Sequence, residues 1–345
     1  MKAFDCVVAS LAIATIAALT IAPLFSFSSS VQAFSLTNTK KLVRIMPLGD
    51  SNTRGKEPGV LPGKRGGYRD DLWALFQDQG FNVNFVGGLK EGPSAVQGSQ
   101  GTYTFDGNHE GHGGFAIKGS GGKGEILPNV TNWLKKAMPD VVLLMTGTND
   151  FIYQKTTAEE TRDELRELID KIFSWASNVE LFVATIPPIK PSRTFATEAR
   201  KYNDLIASLL NEPIYKDKKI HFVDTRKQLT VSDLWSSASD TVHLNNQGYK
   251  KLAKSWFDAI VDAAKPGQSP VNQKIAAAPP ESVSESAFAW DIPEDSFFNN
   301  EAEATTMRSI HSFSSYQPQA EPYIATGENF KNSSSKLSGN TRNYL

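Results

Sequence analysis

A serine that follows a strongly apolar run is the first residue of this sequence whose setting points to chemistry. Ser51 lies in segment 49–55 (GDSNTRG), directly after apolar residues 43–48, and far along the chain Asp240 and His243 stand three residues apart in the run DTVH. A serine hydroxyl is a weak nucleophile until a histidine takes its proton, and a carboxylate fixes the tautomer and orientation of that histidine. The residue types required for acyl transfer through a serine nucleophile are therefore present.

Two intervening segments carry candidate donors for the negative charge that develops on an ester carbonyl oxygen. Asn149 follows an apolar run in segment 146–150 (TGTND), and a side-chain amide aimed at such an oxyanion contributes about 3 to 4 kcal/mol. Gly114 lies in segment 108–117 (NHEGHGGFAI), whose glycines allow backbone N–H groups to approach a substrate closely. Each segment alone also suits an ordinary turn or helix cap. The hypothesis depends on all four segments occurring together.

The elements that must position these residues follow from the hydrophobic pattern. Between about residues 40 and 265, short apolar runs alternate with amphipathic segments, which indicates strands and helices in succession around a mostly parallel sheet. The predicted strands are 43–48, 82–86, 140–145, 180–186 and 220–223. The predicted helices are 68–79, 124–137, 158–177, 198–210 and 246–263. This pattern predicts one α/β domain, a three-layer sandwich with a five-stranded sheet, whose ligands bind beyond the carboxyl ends of the strands.

The two ends of the chain differ in composition from this domain. Lys2, an apolar stretch over 6–27 and the small-x-small run at 31–33 (VQA) predict a secretory signal peptide over 1–33, with the mature chain starting near Phe34. About 20 apolar residues could also span a bilayer as an uncleaved anchor, but Pro23 and the serines after it favour cleavage. The catalytic domain is predicted over 34–266. Residues 267–345, rich in Ser, Ala, Pro, Asn and Glu, are predicted to be a low-complexity, disordered tail.

Composition narrows the function classes. The net charge is −1 and hydrophobic residues make up 40% of the chain, which is typical of a globular protein and gives no basic patch for nucleic acid. The one cysteine is Cys6, inside the predicted leader, so the mature protein has no disulfide and no cysteine ligand for a metal. His109 and His112 are three residues apart in a glycine-rich run, unlike the helical pair of zinc proteases. We therefore predict no metal and no cofactor.

The ordered segments around Ser51, Gly114, Asn149 and the Asp240–His243 run resemble the SGNH (GDSL) hydrolase superfamily. The longer pattern RIMPLGDS at 44–51, GGYR at 66–69 and HEGHGG at 109–114 is similar to carbohydrate esterase family 3, which includes acetyl xylan esterases with a flavodoxin-like fold. Within the nucleophile segment, Asn52 and Arg54 stand where that family more often has an aliphatic and an acidic residue. The α/β-hydrolase elbow is absent, because Thr53 stands where its second glycine would be.

The resemblance implies a role for each matching residue. Ser51 would attack the ester carbonyl, His243 would act as base and then acid, and Asp240 would orient His243. The oxyanion hole would consist of the backbone N–H groups of Ser51 and Gly114 with the side-chain amide of Asn149. Tyr68, Arg69 and His112 are predicted to contact substrate, with Trp73 interpreted as a core residue rather than a sugar platform.

The substrate implied by the resemblance is an acetylated polysaccharide or oligosaccharide, and no nucleic acid or lasting membrane contact is expected. One alternative is hydrolysis of other acyl esters or thioesters, including lipid-derived ones, since the superfamily covers those reactions. A second alternative is a noncatalytic carbohydrate-binding protein that retains the fold. A secreted or extracytoplasmic location, in the periplasm or at the cell surface, follows from the predicted signal peptide.

Overall fold

The computed structural model of this protein describes residues 42–119 and 122–265. The predicted signal peptide over 1–33 and the predicted tail over 267–345 lie outside these residues. In the described ranges, none of the helices combines the length and the hydropathy needed to cross a membrane.

The chain alternates between strands and helices along most of its described length. The strands are β1 (Val43–Gly49), β2 (Val83–Phe85), β3 (Leu89–Lys90), β4 (Ala95–Gln97), β5 (Thr102–Thr104), β6 (Asn108–Gly111), β7 (Phe115–Ala116), β8 (Gly124–Glu125), β9 (Val141–Met145), β10 (Glu180–Ala184) and β11 (Ile220–Val223). The α-helices are α1 (Ser51–Arg54), α2 (Tyr68–Asp78), α3 (Val130–Ala137), α4 (Ala158–Trp175), α5 (Ala196–Leu210) and α6 (Asn246–Ala263). A π-helical turn spans Asp150–Gln154, and 3₁₀ turns span Pro213–Tyr215, Thr225–Lys227 and Val231–Asp233.

The central sheet is built on the five predicted strands. Strands β2, β1, β9, β10 and β11 run parallel in that order, with Ile45 opposite Val141 and Glu180 opposite Val141 on its other side. Strand β6 pairs in parallel with the carboxyl end of β1, beyond the stretch that β2 occupies, and β3 adds an antiparallel edge strand. The sheet therefore has seven strands, two more than the five predicted, and it is mostly parallel as expected.

Alternating residues of each central strand face two separate layers of helices. On β1, Met46 and Leu48 pack with the cluster that contains α3, α4 and α5, while Val43 and Ile45 pack with the cluster that contains α2 and α6. Because side chains alternate across a strand, a sheet covered on both faces is apolar at every position, and all five residues of β9 are indeed buried. The predicted three-layer α/β sandwich is confirmed.

Helix bounds agree with the hydrophobic pattern except in one place. Helix α3 begins at Val130, not at residue 124 as predicted, because Gly124–Glu125 pairs in parallel with Phe115–Ala116 as β8. Pro128 follows this strand and lies two residues before the helix, where its fixed φ and missing N–H suit a turn rather than a helix interior. Phe115 and Ile117, which precede α3, are hydrogen-bonded to Asn149 and Asp150 beyond the carboxyl end of β9.

Candidate active site

The carboxyl end of the central strand β1 leads directly into Ser51. Asp50 is the N-cap of the short helix α1, and its Oδ1 accepts a hydrogen bond of 2.9 Å from the backbone N–H of Asn52. A side chain at Gly49 would meet the carbonyl oxygen of Met145 at 2.1 Å, so only glycine lets β1 and β9 lie this close. Gly49 thus allows close strand packing, Asp50 caps helix α1, and Ser51 occupies the first helical position. Ser51 therefore lies beside the carboxyl ends of β1 and β9.

Ser51, His243 and Asp240 form one continuous hydrogen-bonded array. The Oγ of Ser51 lies 2.8 Å from Nε2 of His243, and Nδ1 of His243 lies 2.8 and 2.9 Å from the two carboxylate oxygens of Asp240. Asp240 also accepts from the backbone N–H of His243 at 3.1 Å, which fixes the short loop between them. With Asp240 accepting the Nδ1 proton, Nε2 is left as the acceptor that a serine hydroxyl requires. This arrangement of hydrogen bonds is one that can activate a serine hydroxyl as a nucleophile.

The carboxylate of Asp240 is buried but strongly stabilised in its charged form. Burial alone would raise its pKa, but the hydrogen bond and charge of His243 and the ammonium group of Lys56 outweigh that effect and hold the pKa of Asp240 well below its ordinary value. The Nζ of Lys56 lies 3.1 Å from Oδ2 of Asp240. The carboxylate therefore stays charged through neutral and mildly acidic pH. Lys56 is a residue that sequence reasoning missed, since a lysine five residues after a serine carries no signal of its own.

A second carboxyl group near the nucleophile behaves differently. Asp50 is fully buried, and burial raises its pKa to about 6, although its hydrogen bond from Asn52 and the charge of His243 act in the opposite direction. Asn52 is buried as well, and its Nδ2 donates to the carbonyl oxygen of Val242 at 3.2 Å. The nucleophile helix is thereby joined directly to the loop that carries His243. Asn52 links parts of the site and does not line an open groove.

The two segments predicted to supply oxyanion donors lie together beside Ser51. Asn149 is buried, and its Nδ2 donates to the carbonyl oxygen of Phe115 at 2.8 Å, a bond that uses one of the two hydrogens on that nitrogen. Gly114 has a positive φ of 83°, in the turn that precedes Phe115. A side chain at the adjacent Gly113 would begin 3.8 Å from Cβ of Ser51. These contacts bring residues 113–114 and Asn149 to the same side of the site.

His112 lies at the edge of this arrangement with its ring held on both faces. Its imidazole is stacked between Phe115 and Trp133, with ring centroids 4.7 and 4.3 Å away, and its Nε2 lies 2.8 Å from Oε1 of Glu110. The backbone N–H of His112 donates to the carbonyl oxygen of Gly49, next to the nucleophile. The His112 side chain is thus fixed in orientation and 15% exposed, and its contact with substrate stays a prediction.

His109, by contrast, is a buried structural residue. Its Nδ1 accepts from the backbone N–H of Gly111 at 2.9 Å. Burial, reinforced by the charges of Arg69, Arg54 and His112, lowers the pKa of His109 to about 2, so the ring is neutral. The two histidines of the HEGH motif therefore engage different partners.

Two residues predicted to contact substrate are in the core instead. Tyr68 has no exposed surface and packs against Trp256 of α6, with ring centroids 6.0 Å apart. Arg69 is also fully buried, and it donates five hydrogen bonds to five backbone carbonyl oxygens, those of Thr53, Arg54, Arg65, Glu91 and Gly107. The prediction that they bind substrate is wrong because helix α2 turns this face inward. Trp73 is a core residue, as interpreted from the sequence.

Comparison with known proteins shows the family to which this chain belongs. A family described as GDSL-like Lipase/Acylhydrolase matches residues 45–256. A multidomain esterase of Ruminococcus flavefaciens is 31% identical over 272 residues, which cover 75% of this chain and 33% of that protein. The chain thus spans about a third of the length of this relative.

Solved structures with the same fold include carbohydrate esterases. The Clostridium thermocellum family 3 carbohydrate esterase is 32% identical and superposes with a TM-score of 0.51, covering 65% of this chain and 98% of that one. A carbohydrate esterase family 3 structure from Talaromyces cellulolyticus, 22% identical with a TM-score of 0.53, covers 64% of this chain and 98% of that one, and it supports the fold.

Proposed function

We propose that this chain, which belongs to the GDSL-like lipase/acylhydrolase family, is a carboxylic ester hydrolase that removes acetyl groups from carbohydrate esters such as acetylated xylan. The observation that carries the proposal is the 2.8 Å contact between Ser51 Oγ and His243 Nε2, with Asp240 on the opposite ring nitrogen. Ser51 would be the nucleophile and the acetyl-enzyme its intermediate.

The array supports a two-step reaction. In the first step Ser51 Oγ forms a bond to the acetyl carbonyl carbon while Nε2 of His243 takes the hydroxyl proton. When the tetrahedral intermediate collapses, the bond to the sugar oxygen breaks and His243 gives that oxygen the proton. Water then attacks the acetyl-enzyme with His243 again as base, and acetate leaves while Ser51 regains its proton. Asp240 stabilises the imidazolium that forms in each step.

The negative charge on the tetrahedral intermediate requires donors on one side of Ser51. We propose that the backbone N–H groups of Ser51 and Gly114 and the Nδ2 of Asn149 supply them. Support comes from the first-turn position of Ser51 in α1, where N–H groups lack intrahelical partners, and from the turn at residues 113–114 beside it. The bond from Asn149 to Phe115 holds the amide in a fixed orientation, as an oxyanion donor requires.

The assignment to carbohydrate esters is supported by the 32% identical structure, which is named a family 3 carbohydrate esterase. His112, sandwiched between Phe115 and Trp133, is proposed to contact the sugar. Hydrolysis of longer acyl esters is the second candidate function, since the matching family is described as a lipase and acylhydrolase. The two differ in the acyl chain that they favour, which makes a chain-length series decisive.

The test is acetate release from acetylated xylan, with p-nitrophenyl esters of increasing acyl length alongside. Wild type should release acetate and prefer acetyl over longer chains, and Ser51→Ala should lose activity by several orders of magnitude. Ser174→Ala, at the exposed carboxyl end of α4, is the matched control and should behave as wild type. Retention of more than about a tenth of the activity by Ser51→Ala would remove the nucleophile assignment. Turnover confined to long acyl chains would favour the second function.

We also propose that the protein acts outside the cytoplasm, on the basis of the leader-like sequence over 1–33. Mass spectrometry of the mature protein isolated from its source would then show an amino terminus near Phe34. An intact amino terminus on membrane-associated protein would instead favour a retained anchor.

A further inference from the structure

The charges around the candidate active site are arranged unequally. The carboxyl groups of the segments that form the site are buried: Asp50, Glu110, Asp150 and Asp240. Basic side chains contact the same segments from outside and keep much of their surface in solvent. Arg54 and Lys56 are 41% and 42% exposed, Lys123 is exposed, and Lys190 is partly exposed. These four basic side chains therefore present positive charge to solvent around the segments that carry Ser51 and Asp240.

Arg54 is a basic residue that lies close to Ser51. It lies three residues after Ser51 on α1, and its Nη1 and the Cβ of Ser51 are each 3.8 Å from the point where a side chain at Gly113 would begin. The two atoms are thus no farther apart than twice that distance. Residues three apart on a helix share one face, so Arg54 extends along the same side as the serine hydroxyl.

The guanidinium group of Arg54 is held rigidly and only partly used. Its Nε and Nη2 donate to the two carboxylate oxygens of Glu91 at 2.9 and 2.6 Å, a bidentate clamp. Among the described residues Nη1 has no hydrogen-bond partner, and it is not among the buried polar atoms. The edge formed by Nη1 and the second hydrogen of Nη2 is therefore open to solvent beside Ser51. An edge of this shape matches a carboxylate in a two-point contact.

Two lysines on other segments add positive charge that no described carboxylate neutralises by contact. The stem of Lys123 packs over Gly114, and its backbone N–H donates to the carbonyl oxygen of that glycine. Lys190 donates through Nζ to the backbone carbonyl oxygens of Ser237 and Asp240, at 2.6 and 3.0 Å. Since Glu91 balances the charge of Arg54, these lysines supply the net attraction for an anion, and Arg54 supplies the directed contact.

We infer that the natural substrates are acetylated carbohydrates that carry a carboxylate, as uronic acid units do, and that the open edge of Arg54 binds this carboxylate. The inference rests on the proposed deacetylase function and adds a substrate class to it. Neutral acetylated sugars lack the group that this edge and the surrounding lysines recognise. The acidic substrate gains both directed hydrogen bonds and faster encounter.

The test compares two small substrates that differ only at C6. Mono-O-acetyl methyl glucuronosides carry a carboxylate there, and the corresponding methyl glucosides carry a hydroxymethyl group, with acetyl at C2, C3 or C4 in each set. Wild type should show a kcat/KM about tenfold higher for the acidic partner of at least one pair. Raising the salt concentration to about 0.5 M should reduce that preference, because added ions screen exposed charges.

Variants assign the preference to Arg54. Arg54→Gln should lower the acidic-to-neutral ratio of kcat/KM to near one, and Arg54→Lys, which keeps the charge but not the planar edge, should retain part of it. Arg44→Gln removes the same side chain at the opposite end of β1, where Arg44 is 37% exposed, and should leave the ratio unchanged. If Arg54→Gln fails to fold, the salt dependence of the wild-type ratio still tests the role of charge.

The outcomes separate the two proposals. Acetate release from the neutral glucosides that equals or exceeds release from the glucuronosides would overturn the inference and leave the deacetylase function intact. A preference for the acidic substrate that survives both Arg54→Gln and high salt would also overturn it. If neither sugar ester is hydrolysed while p-nitrophenyl esters are, the proposed carbohydrate function fails, and the inference fails with it.

Discussion

The buried side chain of Arg69 offers the sharpest test of how this site is supported. All five of its N–H groups donate to backbone carbonyl oxygens, including those of Thr53 and Arg54 at the end of the nucleophile helix. Carbonyls at a helix end have no partner within the helix, so Arg69 satisfies groups that the four-residue α1 cannot satisfy itself. Burial lowers the pKa of Arg69 to about 10, which still leaves it charged at neutral pH.

The expected loss of stability in an Arg69 variant follows from the number of hydrogen bonds that the variant cannot make. Lysine carries three N–H hydrogens on one atom, so Arg69→Lys loses at least two of the five bonds. Each buried carbonyl oxygen left without a donor costs about 1 to 3 kcal/mol, which gives a loss of roughly 2 to 6 kcal/mol. The free energy of unfolding of a globular protein is about 5 to 15 kcal/mol in total, so Arg69→Lys should be markedly less stable than wild type. Its KM should not change, because Arg69 has no exposed surface.

The assay is urea unfolding followed by far-UV circular dichroism, with KM measured at a temperature where the variant stays folded. Arg65→Lys is the matched control, since Arg65 is only half-buried and its Nε makes one bond, to the carbonyl oxygen of Val60 at 2.8 Å. That control should lose less than about 1 kcal/mol. A similarly small loss in Arg69→Lys would refute the structural role. A tenfold rise in KM at unchanged stability would return Arg69 to the substrate site.

Three further predictions concern the triad, a glycine and a carboxyl pair. Asp240→Asn places an amide N–H against Nδ1 of His243, which favours the wrong tautomer of the imidazole. The kcat should therefore fall roughly 1,000- to 10,000-fold while the circular dichroism spectrum stays unchanged. A loss of kcat below about tenfold would exclude the orienting role of Asp240. Gly147→Ala adds a methyl group 2.8 Å from the ring of Tyr202, at a position where φ is 122°. It should lower the free energy of unfolding measured in urea by roughly 2 to 4 kcal/mol. The control Gly101→Ala, which places its methyl group in open space, should lower it little. Burial and the neighbouring Glu164 raise the pKa of Asp150, so the folded state holds this proton more tightly than the unfolded state, and the resulting stability is lost as pH rises through the raised pKa. Asp150→Asn should therefore lose less unfolding free energy than wild type between about pH 4 and about pH 9, and an equal loss would contradict the raised pKa of Asp150.

The sequence contains enough to predict the scaffold of this fold. All five predicted strands are present, because a sheet buried on both faces requires unbroken apolar runs such as β9, and these stand out from the amphipathic helices. Strands β3 and β6 were missed because they are short, and β6 contains polar residues that are satisfied by partners distant in sequence. Glu110, for example, accepts from the backbone N–H of Gly88 at 2.6 Å. Such pairing is not encoded in local periodicity.

The residues of the candidate site likewise divide into those that the sequence predicts and those that it does not. The sequence predicts the residues whose spacing reflects a shared chemical role, such as Asp240, which lies three residues before His243. Tyr68 and Arg69 were misassigned because an aromatic and a basic residue suit a sugar groove as well as a core, and the direction in which α2 turns them depends on its packing against α6. The partnership of Lys56 with Asp240 depends on a contact across more than 180 residues of chain, which no local pattern reveals.

The proposed pairing of Ser51 with His243 also keeps the chain inactive while it is being synthesised. Ser51 and His243 are 192 residues apart, and β9, β10 and β11 must be synthesised between them. At typical rates of translation, roughly 10 to 40 s pass between the two residues. Throughout that interval the hydroxyl has no base and remains an ordinary alcohol. Chains stalled before residue 243 should leave a chromogenic acetate intact, and hydrolysis should begin only once His243 has been synthesised and has reached Ser51, so the appearance of activity reports that these two segments have come together.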